Sequence, residues 1–254
     1  DLIFIASIVC LKNFMKNSTS ILTVTILLAS ALLSSCSNAG CINGSGKQIS
    51  EVRNVGPFTK IETSGSIKVV LRQDSLSSIR ILADDNIQRE IDTRVKGNTL
   101  VIDMEGNICD GGPVTIYISS KNYEGIEASG AVEIVSDGKL NVNDFDLDLS
   151  GSSQVSLDIN AANLRTSSSG ASEIKLVGQA GSHNLDLSGS SSVEALDFVV
   201  GKYHIESSGS SQSRINVLNE LDIKSSGSSD IQYRGNPSNV TNDDSGASSV
   251  KKIN

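Results

Sequence analysis

The sequence predicts an all-β protein: a right-handed parallel β-helix with rungs of 18–21 residues. Three observations carry that prediction. LDLSGSSQV at 147–155 returns as LDLSGSSSV at 185–193, with TSSSGASEI at 166–174 between them. The Ser-Gly steps at Gly130, Gly151, Gly170, Gly189, Gly209, Gly227 and Gly246 are spaced 21, 19, 19, 20, 18 and 19 residues, and Gly65 heads an earlier copy. The chain has no Trp, 4% aromatic and 38% hydrophobic residues, 22 Gly and 3 Pro, which suits thin β layers of Val, Ile, Leu and Ala.

Each copy reads as two short strands flanking a corner. Four residues after the glycine stand Val69, Ile134, Val155, Ile174, Val193, Ser213, Ile231 and Val250. Four before it stand Ile61, Ile126, Leu147, Thr166, Leu185, Ile205, Ile223 and Asn242. These mostly apolar rows alternate with polar ones, the period-2 signature of strands. A fixed period near twenty then means rungs stacked strand on strand, about 4.8 Å apart. Ser precedes every one of these glycines and Ser or Ala follows, because equivalent corner residues lie directly above one another. Glycine supplies the positive φ or close approach that a sharp corner needs. A disordered Ser/Gly linker would not keep its apolar rows in register over seven copies. Right-handed winding follows from the preference of parallel crossovers. Ser153, two residues past Gly151, is expected at an exposed position.

The first half is looser. Residues 58–71 form one full copy, and SIRIL (78–82), TLVIDM (99–104) and PVTIYIS (113–119) read as strands. DDNIQREI (84–91) suggests one helical turn, and the 65 residues from Gly65 to Gly130 are expected to hold about three rungs. One continuous domain is predicted over 47–254.

Residues 15–36 read MKNSTSILTVTILLASALLSSC. The apolar run Ile21–Leu33 is too short to span a bilayer and fits the core of a secretory signal. Leu33-Ser34-Ser35-Cys36 resembles the lipobox of bacterial lipoproteins, which implies cleavage before Cys36 and acylation of it, with several acyl chains giving a stable anchor. Residues 1–35 are thus read as the signal, with 1–14 as upstream read-through before Met15, and 36–46 as the lipidated cysteine and its tether. The expected location is the outer membrane, on its periplasmic or cell-surface side. Cys41 and Cys109 then remain; an exported pair can bridge or stay as two buried thiols, and the sequence leaves both open.

The segments VGPFTKIETSGSIKVVL (55–71), ADDNIQREIDTRVKGNTLVI (83–102), PVTIYIS and the serial SG[SA] steps resemble the head GIN domain family of autotransporter-adhesin-like lipoproteins, best known from Bacteroidetes. The resemblance covers nearly all of 47–254 and implies a β-helical envelope protein. It brings no catalytic motif with it.

Formal net charge is −8, and without residues 1–35 the chain holds 19 basic against 28 acidic residues, or −9. That balance argues against nucleic acid and against direct attraction to anionic lipid. His183 and His204 lie about one rung apart, but six and five residues before their glycines, so their rows differ. Both sit in polar stretches, GSHN and GKYH, and are expected at the surface rather than as a metal pair. Arg72, Arg165 and Arg214 share no row, no G-x-S-x-G or H-E-x-x-H occurs, and stacking platforms for sugars are scarce. No enzyme activity and no cofactor are expected.

One polar row stands out. Three residues before each glycine are Glu62, Glu127, Asp148, Ser167, Asp186, Glu206, Lys224 and Asp243. Glu127 and Asp148 are the weak candidates for a metal. Ca²⁺ takes six to eight oxygen ligands, so a solvated acidic face is expected instead. The expectation is an adhesin or binding module whose ligand is glycan, peptidoglycan or protein, with the membrane as its other partner. The alternatives are an envelope module whose open rungs stack into homo-oligomers and a polysaccharide-active enzyme.

Overall fold

The computed structural model describes residues 40–254, with a folded unit from Ile42 to Asn254. The chain begins with short strands β1 (Ile42–Asn43) and β2 (Gln48–Arg53), then the long β3 (Lys60–Gln73) and β4 (Ser78–Asp84). A 3-10 turn at Ile87–Glu90 leads into β5 (Ile91–Lys96), β6 (Thr99–Met104), β7 (Ile108–Asp110) and β8 (Thr115–Ser120). The repeats supply β9 (Gly125–Asn141), β10 (Asp144–Gly151), β11 (Gln154–Gly170), β12 (Glu173–Gly189) and β13 (Ser192–Gly209). Last come β14 (Gln212–Gly227), β15 (Asp230–Gly235), β16 (Asn239–Gly246) and β17 (Ser249–Lys252).

Together they build a parallel β-solenoid of about seven turns. Register is held by the repeat itself. Gly130, Gly151, Gly170, Gly189, Gly209, Gly227 and Gly246 are successive partners across β9, β10, β11, β12, β13, β14 and β16. The apolar rows stack into a continuous interior, with Ile126, Leu147, Leu185, Ile205 and Ile223 all buried. A one-residue slip would turn these rows to solvent, so the pattern fixes the pairing.

The Ser-Gly step is a corner with positive φ: +101° at Gly151 and +127° at Gly170. A Cβ at Gly151 would stand 2.5 Å from the carbonyl oxygen of Gly130 below it. Close backbone approach and left-handed conformation thus demand glycine together. The ladder crosses the bend unbroken, since Ser152 N–H donates to Gly130 O at 2.8 Å and Ala171 N–H to Gly151 O at 2.9 Å.

Ser153 is buried, contrary to expectation. Two residues past each corner the chain has already turned inward, and Ile67, Val132, Ser153, Ser172, Ser191, Ser211 and Ser229 form one buried column. The column is filled by Ile67 and Val132 in the first coils and by Ser from Ser153 onward. Some of these hydroxyls pair across the corner, Ser168 with Ser191 at 3.0 Å and Ser207 with Ser229 at 2.8 Å.

The residues between Gly65 and Gly130 do not form three rungs. Gly65 pairs directly with Gly130, so β3 and β9 are neighbours. The intervening chain folds back to the other side of β3, where β6 pairs with Lys60–Thr63 and β8 with Lys68–Gln73. Antiparallel strands follow outward: β5 on β6, and β4 then β2 on β8. The cause is local. Gly97, at φ +64°, and Asn98 form a two-residue turn that makes β5–β6 a hairpin, and a hairpin cannot continue a parallel coil.

Within the expected tether, β1 pairs in parallel with β7, Ile42 opposite Ile108. Both Cys41 and Cys109 are disulfide-bonded. At the other end the core columns change character. Leu221, Ile223 and Ser225 of β14 are followed in β16 by Val240, Asn242 and Asp244, and Tyr233 of β15 by Lys252 of β17.

Candidate functional site

Because side chains alternate along a strand, the residues three and one before each glycine point outward while the one between points in. Stacking turns these positions into two parallel outward rows with a strip of backbone between them. On one side Glu127, Asp148, Ser167, Asp186, Glu206, Lys224 and Asp243 are successive register partners. The other side is a file of serines from Ser150 to Ser245. The groove they enclose has a volume of about 660 Å³ and crosses these rungs along the solenoid axis. Its walls are carboxylate and hydroxyl, and its framework is the most regular part of the fold.

Charge is unevenly partnered along the groove. Lys224 Nζ donates to Glu206 at 3.1 Å, and Arg165 reaches Asp186 at 3.5 Å. His204 stands between two carboxylates, with Nδ1 2.8 Å from Asp222 and Nε2 3.1 Å from Glu206. The Lys224 ammonium, then His204, hold the Glu206 carboxyl below its usual range, while Glu206 pushes the Lys224 ammonium up. Glu127 and Asp148, at the other end, have no ion-pair partner among the described residues. They are register neighbours, but no third acid, His or Cys joins them: among the described residues no group of three or more such side chains is placed to hold a metal.

The remaining residues singled out in the sequence fall in separate places. His183 is not at the surface. It is wholly buried, edge-on to Phe198 at 5.9 Å and 5.0 Å from the Tyr203 ring, with Nε2 3.0 Å from Thr166 Oγ1. Burial pushes its pKa down to about 3. The readable signal was its column: Phe145, Leu164, Tyr203 and Leu221 are its stacked equivalents and are all apolar or aromatic. Arg72, Arg165 and Arg214 enter separate ion pairs, with Asp137, Asp186 and Glu194. Cys36 and the leader lie outside the described residues.

A family model described as "Putative auto-transporter adhesin, head GIN domain" matches residues 57–237. Among solved structures, a "putative adhesin" from Bacteroides fragilis superposes with a TM-score of 0.77 at 23% identity, over 84% of this chain and 100% of that one. A "Putative lipid binding protein" from Parabacteroides distasonis gives 0.68 at 18% identity, over 85% and 100%. A "putative adhesin" from Parabacteroides merdae gives 0.62 at 19%, over 85% and 100%. These structures share the solenoid. No curated protein matches the chain significantly.

Proposed function

The chain belongs to the head GIN domain family, and from that premise we propose that it is a non-enzymatic, adhesin-like binding module of the cell envelope. In this reading residues 15–35 export it and acyl chains on Cys36 hold it to the outer membrane. The ligand is a glycan, a peptidoglycan fragment or an envelope protein, met along the groove between the acidic and serine rows. The observation that supports this best is the groove's construction: polar groups on register-locked strands, already placed to receive a long partner. The names borne by the family and its structural neighbours agree with binding rather than turnover. Carboxylate and hydroxyl walls do not suit an acyl chain, which favours a polar ligand for the groove.

The self-stacking alternative is weakened by the solenoid's two ends. Natural sheets protect their edges with inward-pointing charges. Arg53 and Glu51 occupy β2, while Asn242, Asp244 and Lys252 stand in the core columns of the last coil.

The test is capture of envelope glycans, peptidoglycan fragments and proteins by the purified protein and by a Glu127→Gln/Asp148→Asn variant. Ligand retained by the first and lost by the second is expected. Equal capture by both would move the binding face elsewhere.

A further inference from the structure

Five residues before each glycine runs another outward column: Lys60, Gly125, Asp146, Arg165. Gly125 is the odd member. A Cβ there would stand 2.7 Å from the carbonyl oxygen of Asp146, so the close approach of the neighbouring strand excludes any side chain. The column therefore has a notch one rung high, with an ammonium on one side and a carboxylate on the other. Lys60 and Asp146 are two strand spacings apart along the stack, about 10 Å between backbones, and their side chains shorten that gap.

Lys60 and Asp146, which flank the notch, both line a cavity of about 450 Å³ together with Asn122, Tyr123, Asn141 and Asn143. It is separate from the groove and shares none of its lining residues. The other two acids here accept hydrogen bonds from neutral donors. Glu124 accepts from Thr59 and Asn98, and Asp144 accepts from Asn143 and Asn163. Arg165, the next member of the column, turns to Asp186. Lys60 and Asp146 are the two charged side chains at this cavity with neither an ion pair nor a side-chain hydrogen bond among the described residues, and they stand on either side of Gly125. The Asn122 and Asn143 amides add neutral donors and acceptors, and Tyr123 is buried beneath.

We propose that this notch binds a small zwitterion, a free amino acid or a short unblocked peptide, with its carboxylate on Lys60 and its ammonium on Asp146. Two charges of opposite sign held apart on rigid strands select a ligand with both groups. A simple anion would be repelled by Asp146, Asp144 and Glu124, and a simple cation, though drawn to these carboxylates, would leave the Lys60 ammonium unanswered.

Titration calorimetry of the purified protein with glycylglycine tests this, with acetate and methylamine as single-charge probes. Saturable binding of glycylglycine alone is expected, weakened by about tenfold or more in Lys60→Gln and in Asp146→Asn, since each removes a charge-assisted hydrogen bond. Both substitutions are at the surface, and unchanged melting temperatures would confirm that the variants remain folded. Absence of glycylglycine binding to the unmodified protein overturns the proposal. So does binding that survives in both variants, or equal binding of either single-charge probe.

Discussion

The Arg53 guanidinium, on edge strand β2, donates to the carbonyl oxygen of Gln88 at 2.9 Å, reaching across the solenoid's end to the 3-10 turn. It also donates to the carbonyl of Ile91 and to Thr93 Oγ1, and it pairs with Glu51 at 2.9 Å. One side chain thereby satisfies carbonyls next to β5 and sets a charge against β2. The last coil achieves a similar end by placing Asn242 and Asp244 beneath the Ile223 and Ser225 columns. Replacing both, Asn242→Ile with Asp244→Val, continues the apolar column to an open edge. Light scattering should then show size rising with concentration, while the unmodified protein stays constant. A variant as monodisperse as its parent would mean these residues are not what keeps the ends apart.

Two substitutions two residues apart should behave in opposite ways. Gly151→Val forces a branched side chain into positive φ and onto the Gly130 carbonyl, and should cost several kcal/mol, on the order of 3 or more. Ser153→Val enters a buried column already holding Ile67 and Val132, where the Ser153 hydroxyl has no hydrogen-bond partner. Its melting temperature should stay near that of the parent, within about 1 kcal/mol of stability. Comparable losses in both would mean the corner is not held by glycine.

The contrast shows how far the sequence could be read. Residues that repeat, such as Gly151 and Leu147, were legible because stacking imposes the same demand on each copy, so one rule explains seven positions. Ser153 and His183 were misplaced because polarity outweighed column membership, although inside a tight bend or beside Thr166 a polar side chain is tolerated. The fold-back of β4–β8 was not legible as such. Their alternation announces strands, but only the Gly97-Asn98 turn announces an antiparallel partner. The groove lay in the sequence as its acidic row, whereas the notch at Gly125 needed the Asp146 carbonyl to be seen.

His183 makes stability depend on pH. Its folded-state value of about 3 lies below its ordinary 6.5, so the unfolded chain takes up the proton first as pH falls. The stability due to neutral His183 is complete above pH 6.5 and is lost progressively towards pH 3. Between pH 7 and pH 5 this amounts to about 2 kcal/mol. His183→Leu, matching Leu164 and Leu221 in the same column, should remove that share of the acid sensitivity. Urea unfolding of both proteins at the two pH values measures it. Identical pH slopes would show that His183 is not buried neutral.

In the proposed reading the anchor is Cys36, which lies outside the described residues. Cys36→Ala should shift the protein from the membrane to the soluble fraction, with the melting temperature of the folded unit unchanged, because Ile42–Asn254 is a compact unit with its own hydrophobic core. Unaltered membrane fractionation would reject the lipoprotein reading.

Glu127 and Asp148 face one another on adjacent strands, about 5 Å apart, and like charges so placed repel. Two things can relieve them: screening by water and salt, or a hard cation held by their oxygens. Ser167 follows Asp148 in the same row and offers one hydroxyl, so a bound Ca²⁺ would draw most of its six to eight ligands from water. The loss of hydration would then gain little over free solution. Divalent cations should therefore raise the melting temperature weakly, and NaCl at matched ionic strength should reproduce most of the effect. Asp148→Asn, which removes the repulsion itself, should raise stability slightly at low salt and flatten the response to either salt. A sharp rise specific to Ca²⁺ and abolished by Asp148→Asn would reverse that conclusion and make this end of the groove a cation site.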